Sequence, residues 1–205
     1  RFELSDQYLN QDRRLPAWNN TPAANTHFKT ERHQVVARLQ TDDLTDYHIN
    51  LATQLFYGWK EELYDDSQSV IGLGRQRERY NTEKYGGSVF CEWATEYQIL
   101  STNFEAGRET YSAKDLLRFR PRGDSRRNYV SAALQDSVYL LQQRLLLTPA
   151  CHYQWYDDKL ESVTSIYGSK LPGYDRQHDS LSPSLGVRYE VWGPFALQAN
   201  AARYS

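Results

Sequence analysis

The chain of 205 residues has no methionine, only two cysteines and no apolar run approaching the roughly 18 residues a membrane helix needs. A helical membrane protein is therefore excluded. Nothing at its start reads as a secretory leader, since a basic n-region and an apolar h-region are both missing. A net charge of -2 offers no global attraction for nucleic acid, and no nucleic-acid-binding signature is present. The GxSxG nucleophile elbow and the Walker A loop are absent. His27, His33, His48, His152 and His178 fall at no metal-ligand spacing. Neither an enzyme nor a cofactor is expected.

What is plentiful is aromatic. Sixteen Tyr and five Trp accompany a mean hydropathy of -0.78, which by average composition would suit a soluble domain. A transmembrane β-barrel reconciles the two, because half of each strand faces a polar lumen while aromatics form girdles at the interfaces. The clearest strand is Tyr47–Lys60. Its odd positions carry Tyr47, Ile49, Leu51, Thr53, Leu55, Tyr57 and Trp59, and its even positions are mainly polar. Twelve rises of about 3.3 Å tilted near 45° span about 28 Å, close to a bilayer's hydrocarbon core.

The same alternation predicts strands over Arg1–Asp12, Arg32–Gln40, Tyr85–Ala94, Gln98–Tyr111, Arg126–Tyr139, Arg144–Tyr156, Ser182–Val191 and Phe195–Ser205. Polar stretches around Trp18, Asp65–Arg79, Ser112–Asp124 and Asp157–Ser180 read as long loops, and they alternate with short turns such as Gly193-Pro194. The expected fold is all-β: an antiparallel, up-and-down transmembrane barrel fragment of about nine strands, with long extracellular loops and short periplasmic turns. Nine strands with open edges would expose unpaired backbone to lipid, so residues 1–205 are expected to be one part of a larger barrel domain. Cys91 and Cys151 fall on strands three apart, about 14 Å at ~4.8 Å per strand, which is too far for a disulfide.

Leu147-Thr-Pro-Ala-Cys-His-Tyr153 resembles the "LTPGLRY" strand of TonB-dependent outer-membrane receptors, and Leu181-Ser-Pro-Ser-Leu-Gly-Val-Arg-Tyr189 their "SPxLGLRY" strand. Phe195–Ser205 is similar to the strand that follows, Ala133-Leu-Gln-Asp136 to the "xxQDxW" strand, and Leu15-Pro16-Ala17-Trp18 to a recurrent loop opening. Ala150, Cys151 and His152 stand where the family usually has Gly, Leu and Arg. The resemblance implies the outer membrane of a Gram-negative bacterium and import of a scarce nutrient, such as a ferric siderophore or a cobalamin-like ligand. It also implies TonB as a partner through a plug domain outside these residues, with outer-membrane lipid and lipopolysaccharide around the barrel. A passive porin, an outer-membrane enzyme and a soluble ligand-binding β-domain are the alternatives.

Candidate ligand contacts lie in the expected extracellular loops. Arg75, Arg77 and Arg79 alternate, as do Arg118, Arg120 and Arg122, with Arg126 and Arg127 following. In extended chain, residues i and i+2 share a face, so each stripe could present guanidinium forks to one anion. Contact with lipopolysaccharide phosphates or simple solvation explains the same stripes. Trp18, Phe28, Tyr64, Phe119, Tyr167 and Tyr174 could form an aromatic platform or serve as girdle and loop packing. Asp65-Asp66 and Asp157-Asp158 pair carboxylates at expected strand ends, but without the spacing of an EF-hand calcium loop.

Overall fold

The computed structural model describes residues 1–16, 22–44, 48–71, 74–118, 120–164 and 169–203. Nine long strands form one antiparallel sheet in simple up-and-down order: β1 (Phe2–Pro16), β2 (Pro22–Thr41), β3 (Ile49–Asp66), β4 (Gln76–Ala94), β5 (Gln98–Asp115), β6 (Arg120–Leu140), β7 (Leu145–Leu160), β10 (Tyr174–Trp192) and β11 (Phe195–Ala202). A two-stranded hairpin, β8 (Val163–Thr164) with β9 (Lys170–Leu171), sits in the connection between β7 and β10. Among the described residues there is no helix.

Directly opposed residues of neighbouring strands share a face of the sheet, so the register shows what each face carries. One line of partners runs Phe2, Leu39, Thr53, Val89, Phe104, Ala132, Tyr153, Leu181. The next line, on the other face, runs Glu3, Arg38, Gln54, Ser88, Glu105, Ser131, Gln154, Ser180. One face is thus apolar and the other polar across eight strands. Leu4, Leu55 and Phe104 on the apolar face are 63%, 62% and 50% exposed, whereas the fully buried side chains are the polar Thr26 and Asp66. Ala113 is the one buried hydrophobic residue among those described. This inverts a soluble protein, in which such large apolar groups would be covered.

The strands are longer than the apolar alternation predicts. The stretches Asp65–Arg79 and Ser112–Asp124, expected as loops, are in part taken up by β3, β4, β5 and β6, leaving 67–75 and 116–119 as connections. The reason is that a ladder continues wherever its backbone pairs, and charged partners such as Arg77 and Asp65 replace apolar ones beyond the hydrophobic band. The expected 157–180 loop shrinks to 161–173 for the same reason, because β10 already begins at Tyr174. Tyr47 lies outside the described residues, and His48 precedes β3 in a turn, where Asp43 is its partner at 3.1 Å.

At the opposite end the connections are 42–48, 95–97, 141–144 and 193–194. Thr95 closes one of them: its N–H donates to the Gln98 carbonyl (2.7 Å) and its hydroxyl accepts from the Gln98 N–H (3.1 Å). Leu141, Gln142 and Gln143 all have positive φ (51°, 58° and 67°), three left-handed non-glycine residues in a row. Local faults interrupt the ladders at Arg14/Pro16, at Glu190/Trp192 and at two places on β6. β6 bulges at Arg122, because Ala113 pairs with Gly123 while Lys114 pairs with Pro121. Between β6 and β7 the pairing lapses from Gln135–Ala150 to Val138–Leu147, beside Pro149, which has no N–H to donate. Cys91 and Cys151 are both free thiols.

The sheet ends at β1 and β11, which do not pair with each other. An apolar face with open edges satisfies its backbone in hydrocarbon only when further strands continue the ladder. Introducing Leu55→Arg in the middle of the apolar band is expected to destabilise the assembled protein by about 2–4 kcal/mol. The neighbouring Gln54→Arg, on the polar face, is expected to be tolerated. Unfolding of the full-length receptor in phospholipid vesicles measures both, and equal effects would contradict the assignment of faces.

Candidate functional site

The polar face acquires its shape from two glycines. Gly86 on β4 and Gly107 on β5 are directly opposed, with Phe56 of β3 beside one and Tyr129 of β6 beside the other. A side chain on Gly107 would meet the Tyr129 ring at 2.6–2.9 Å, and one on Gly86 would meet the Phe56 ring at 2.7 Å and the Ala106 carbonyl. Two aromatic rings therefore lean inward from either side and lie over bare backbone, an arrangement only glycine permits. The Lys84 ammonium sits 5.4 Å from both ring centroids, so one cation caps both π-faces. Tyr129 extends this group by donating its hydroxyl hydrogen to Glu105 (2.9 Å).

Two residues further along each strand, opposed partners form a charge ladder: Lys84, Glu109, Arg127, Asp158 and Arg176. Each cation stands beside an anion across strands, the favourable pairing for exposed sheet positions. Arg127 is the best-held member. Its Nε and one terminal nitrogen donate to the two Asp158 oxygens at 2.6 and 2.8 Å, and its guanidinium lies 5.3 Å from the Tyr156 ring centroid. That geometry is the bidentate fork a carboxylate accepts. Towards the far strand ends Tyr80 and Tyr111 stack at 6.2 Å. Ser131 and His152 meet at 3.0 Å on the same face.

Carboxylates finish the strands there. Asp66, fully buried, accepts N–H donors from Val70 (2.7 Å) and Ile71 (3.2 Å) and the Thr26 hydroxyl (3.2 Å). Asp115, also buried, accepts from the Leu117 and Arg118 N–H groups at 3.0 and 3.2 Å. These are turn-forming acids. Asp65 accepts from the Ser67 N–H, Asp157 from Asn128, and Asp158 from Arg127, so each expected acid pair is already engaged. Among the described residues no cluster of three potential metal ligands occurs.

The residues singled out from sequence separate by face. Tyr64 and Tyr174 have polar-face positions but stand on β3 and β10, with four strands between them. Phe28 is directly opposite Tyr64, which brings two of the expected aromatics together. Arg77 and Arg79 share a face with each other, but it is the face of the apolar band. There they pair with Asp65 (3.1 Å) and Glu61 (3.4 Å). Arg75, in the 67–75 connection, donates to the Ser67 carbonyl (2.7 Å). Arg118 is in the turn after β5, and Arg120 is opposite Asp115. Arg122 is the bulge residue, so the alternation of the second stripe does not carry across it. Trp18, Phe119 and Tyr167 lie outside the described residues. Phe56, Lys84 and Tyr129 were not singled out as ligand contacts, and Arg127 was named only as following the second arginine stripe. The even-position glycine opposite another strand's glycine was their only signal, and it appears only once the register is known.

The family model for the TonB-dependent receptor-like β-barrel matches residues 2–204. The chain belongs to the TonB-dependent receptor β-barrel family. Members of this family are outer-membrane proteins of Gram-negative bacteria. Among solved structures, the copper transporter OprC superposes with a TM-score of 0.70 at 12% identity, covering 97% of this chain and 40% of OprC. The siderophore receptor PiuA from Acinetobacter baumannii gives a TM-score of 0.64 at 13% identity, covering 93% of this chain and 38% of PiuA. At those identities the likeness is one of fold, and the chain spans about two-fifths of each neighbour. No curated protein sequence matches. Within a TonB-dependent receptor barrel the apolar face meets lipid and the polar face lines the interior.

The glycine patch yields a direct test. Gly107→Ala is expected to push the Tyr129 ring off the wall and lower stability by about 1–3 kcal/mol, the cost of overpacking. Adding Tyr129→Ala should recover most of that loss. Unfolding midpoints of the single and double variants decide it, and no recovery would show that the ring does not cover the glycine.

Proposed function

We propose that this chain forms part of the barrel wall of a receptor that imports a scarce nutrient across the outer membrane, such as a ferric siderophore, another metal chelate or a cobalamin-like ligand. The observation that carries the reading is the division of faces. An interior of stacked tyrosines, a ring-capped lysine and alternating charges backs onto a continuous apolar exterior. Such an interior offers planar and charged contacts to a polar ligand or to a protein segment filling the barrel. The extracellular ends of the strands, with Tyr64, Arg75, Arg118, Arg120, Arg122 and Tyr174, would receive the ligand first, together with Trp18 and Tyr167. Arg77 and Arg79 would stand at the outer surface among lipopolysaccharide headgroups. A plug and TonB, both outside these residues, would supply gating and energy. The role is transport, with no catalysis and no resident cofactor.

Uptake assays test this reading with a defined panel: ferric siderophores, cupric ion and cyanocobalamin. Cells expressing the full-length receptor are expected to accumulate at least one member of the panel. That uptake should disappear when TonB is deleted or the proton-motive force is collapsed. Replacing Arg127 and Asp158 together by Ala is expected to reduce the transport rate several-fold while the protein still reaches the outer membrane. Uptake that persists without TonB would identify a passive porin instead.

A further inference from the structure

Midway along β3, a third glycine of the polar face has nothing over it. Gly58 is diagonal to Gly86, and Gly86 is opposite Gly107, so the three mark one oblique line across the wall. The Phe56 and Tyr129 rings lie over the last two, but a side chain on Gly58 would meet only the His33 and Lys84 carbonyls, both at 3.9 Å. A hollow of about 130 Å³ stands there, comparable to the roughly 150 Å³ that accommodates a benzene ring. The register gives the hollow two unlike sides. Arg32 and Lys60, directly opposed, stand on its extracellular side, and Val36 and Phe56, also directly opposed, on its periplasmic side. Gln34 and Lys84 flank Gly58 on β2 and β4. Like charges gathered on neighbouring strands repel one another. Lys60 is held by Glu62 at 3.0 Å. Among the described residues, however, no carboxylate lies within ion-pair distance of Arg32 or of Lys84, although Glu109 is opposite Lys84. Glu105, which borders the adjoining groove, accepts the Tyr129 hydroxyl hydrogen.

The two sides describe one kind of guest. A flat apolar body fits against Val36 and Phe56 with its face on the Gly58 backbone, as the two rings already do at Gly86 and Gly107. An anionic edge on that body meets the Arg32 guanidinium and the Lys60 and Lys84 ammonium groups, with the Gln34 amide as a neutral donor. A small inorganic anion would leave the apolar side uncovered, and an uncharged ring would leave the cations unpaired. We propose that the Gly58 hollow binds a planar aryl anion, the aromatic carboxylate or phenolate group of a compound passing through the lumen. The site rests on the import reading above and narrows it, because the imported compound then carries an aromatic acid. The position of Gly58 midway along β3 suits that role, since a solute crossing the lumen along this wall passes it.

The test titrates the full-length receptor in detergent with salicylate and benzoate, and with cyclohexanecarboxylate and benzamide as the non-planar and uncharged counterparts, read by ligand-observed NMR. Both aromatic acids are expected to bind about tenfold or more tightly than benzamide, which leaves the cations unpaired, and than cyclohexanecarboxylate, which cannot lie flat. Gly58→Val fills the hollow without meeting another side chain, and should weaken salicylate binding about tenfold or more at an unchanged thermal midpoint. Arg32→Gln should weaken benzoate binding and leave benzamide unaffected. The four-probe comparison on the wild-type protein decides the question even if a variant fails to fold. Equal binding of the acids and their counterparts, or of salicylate to wild type and Gly58→Val, would overturn the proposal. So would absence of aryl-acid binding; a Gly58→Cys thiol then shielded from a water-soluble maleimide assigns the hollow to a side chain of the plug. The uptake panel keeps the two readings apart. TonB-dependent uptake without aryl-acid binding removes this site and leaves the transport reading, whereas aryl-acid binding with TonB-independent uptake does the reverse.

Discussion

Everything in this molecule depends on a cross-strand ladder kept in one register through the apolar band from β1 to β10. Side chains alternate along a strand, so a slip of one residue would turn that strand's apolar set onto the wrong face. The line from Phe2 through Leu39, Val89 and Tyr153 to Leu181 stays apolar or small because every strand keeps its place. The polar line beside it, from Glu3 to Ser180, stays polar for the same reason. The ladder fixes the faces, and the faces separate lipid contact from ligand contact.

Neighbouring residues can therefore have opposite roles. Arg126 and Arg127 are adjacent on β6 and point to opposite sides. Arg127 is clasped by both oxygens of Asp158 beneath the Tyr156 ring, a held part of the interior. Arg126 has a buried donor with nothing to donate to and a lysine opposite it. The same residue type, one position apart, is complete on one face and incomplete on the other.

Strand number, order and facing were legible in the sequence wherever one face was apolar, as from Ile49 to Trp59. Legibility stopped where both faces became polar. Asp65, Arg77 and Arg79 read as loop because their favourable partners lie on a different strand, and sequence distance hides that complementarity. The Phe56–Gly86–Gly107–Tyr129 patch was hidden for a related reason: four residues from four strands become neighbours only through the register. The bulge at Arg122 leaves no mark on composition, yet it breaks the i, i+2 logic that made the second arginine stripe look continuous. Asp66 and Asp115 were visible as acids, but their work in gathering turn N–H groups depends on where the strands end.

The near-absence of a buried apolar core has a thermodynamic corollary. The favourable apolar contacts of this wall are made with its surroundings, so part of its folding free energy belongs to the solvent. From Ile49 to Trp59 the band covers ten rises, about 23 Å when tilted near 45°. A hydrocarbon layer thicker or thinner than that forces tilt or local deformation, at a modest cost for each ångström of mismatch. The lipid composition of the membrane is, in that sense, an unwritten part of the sequence.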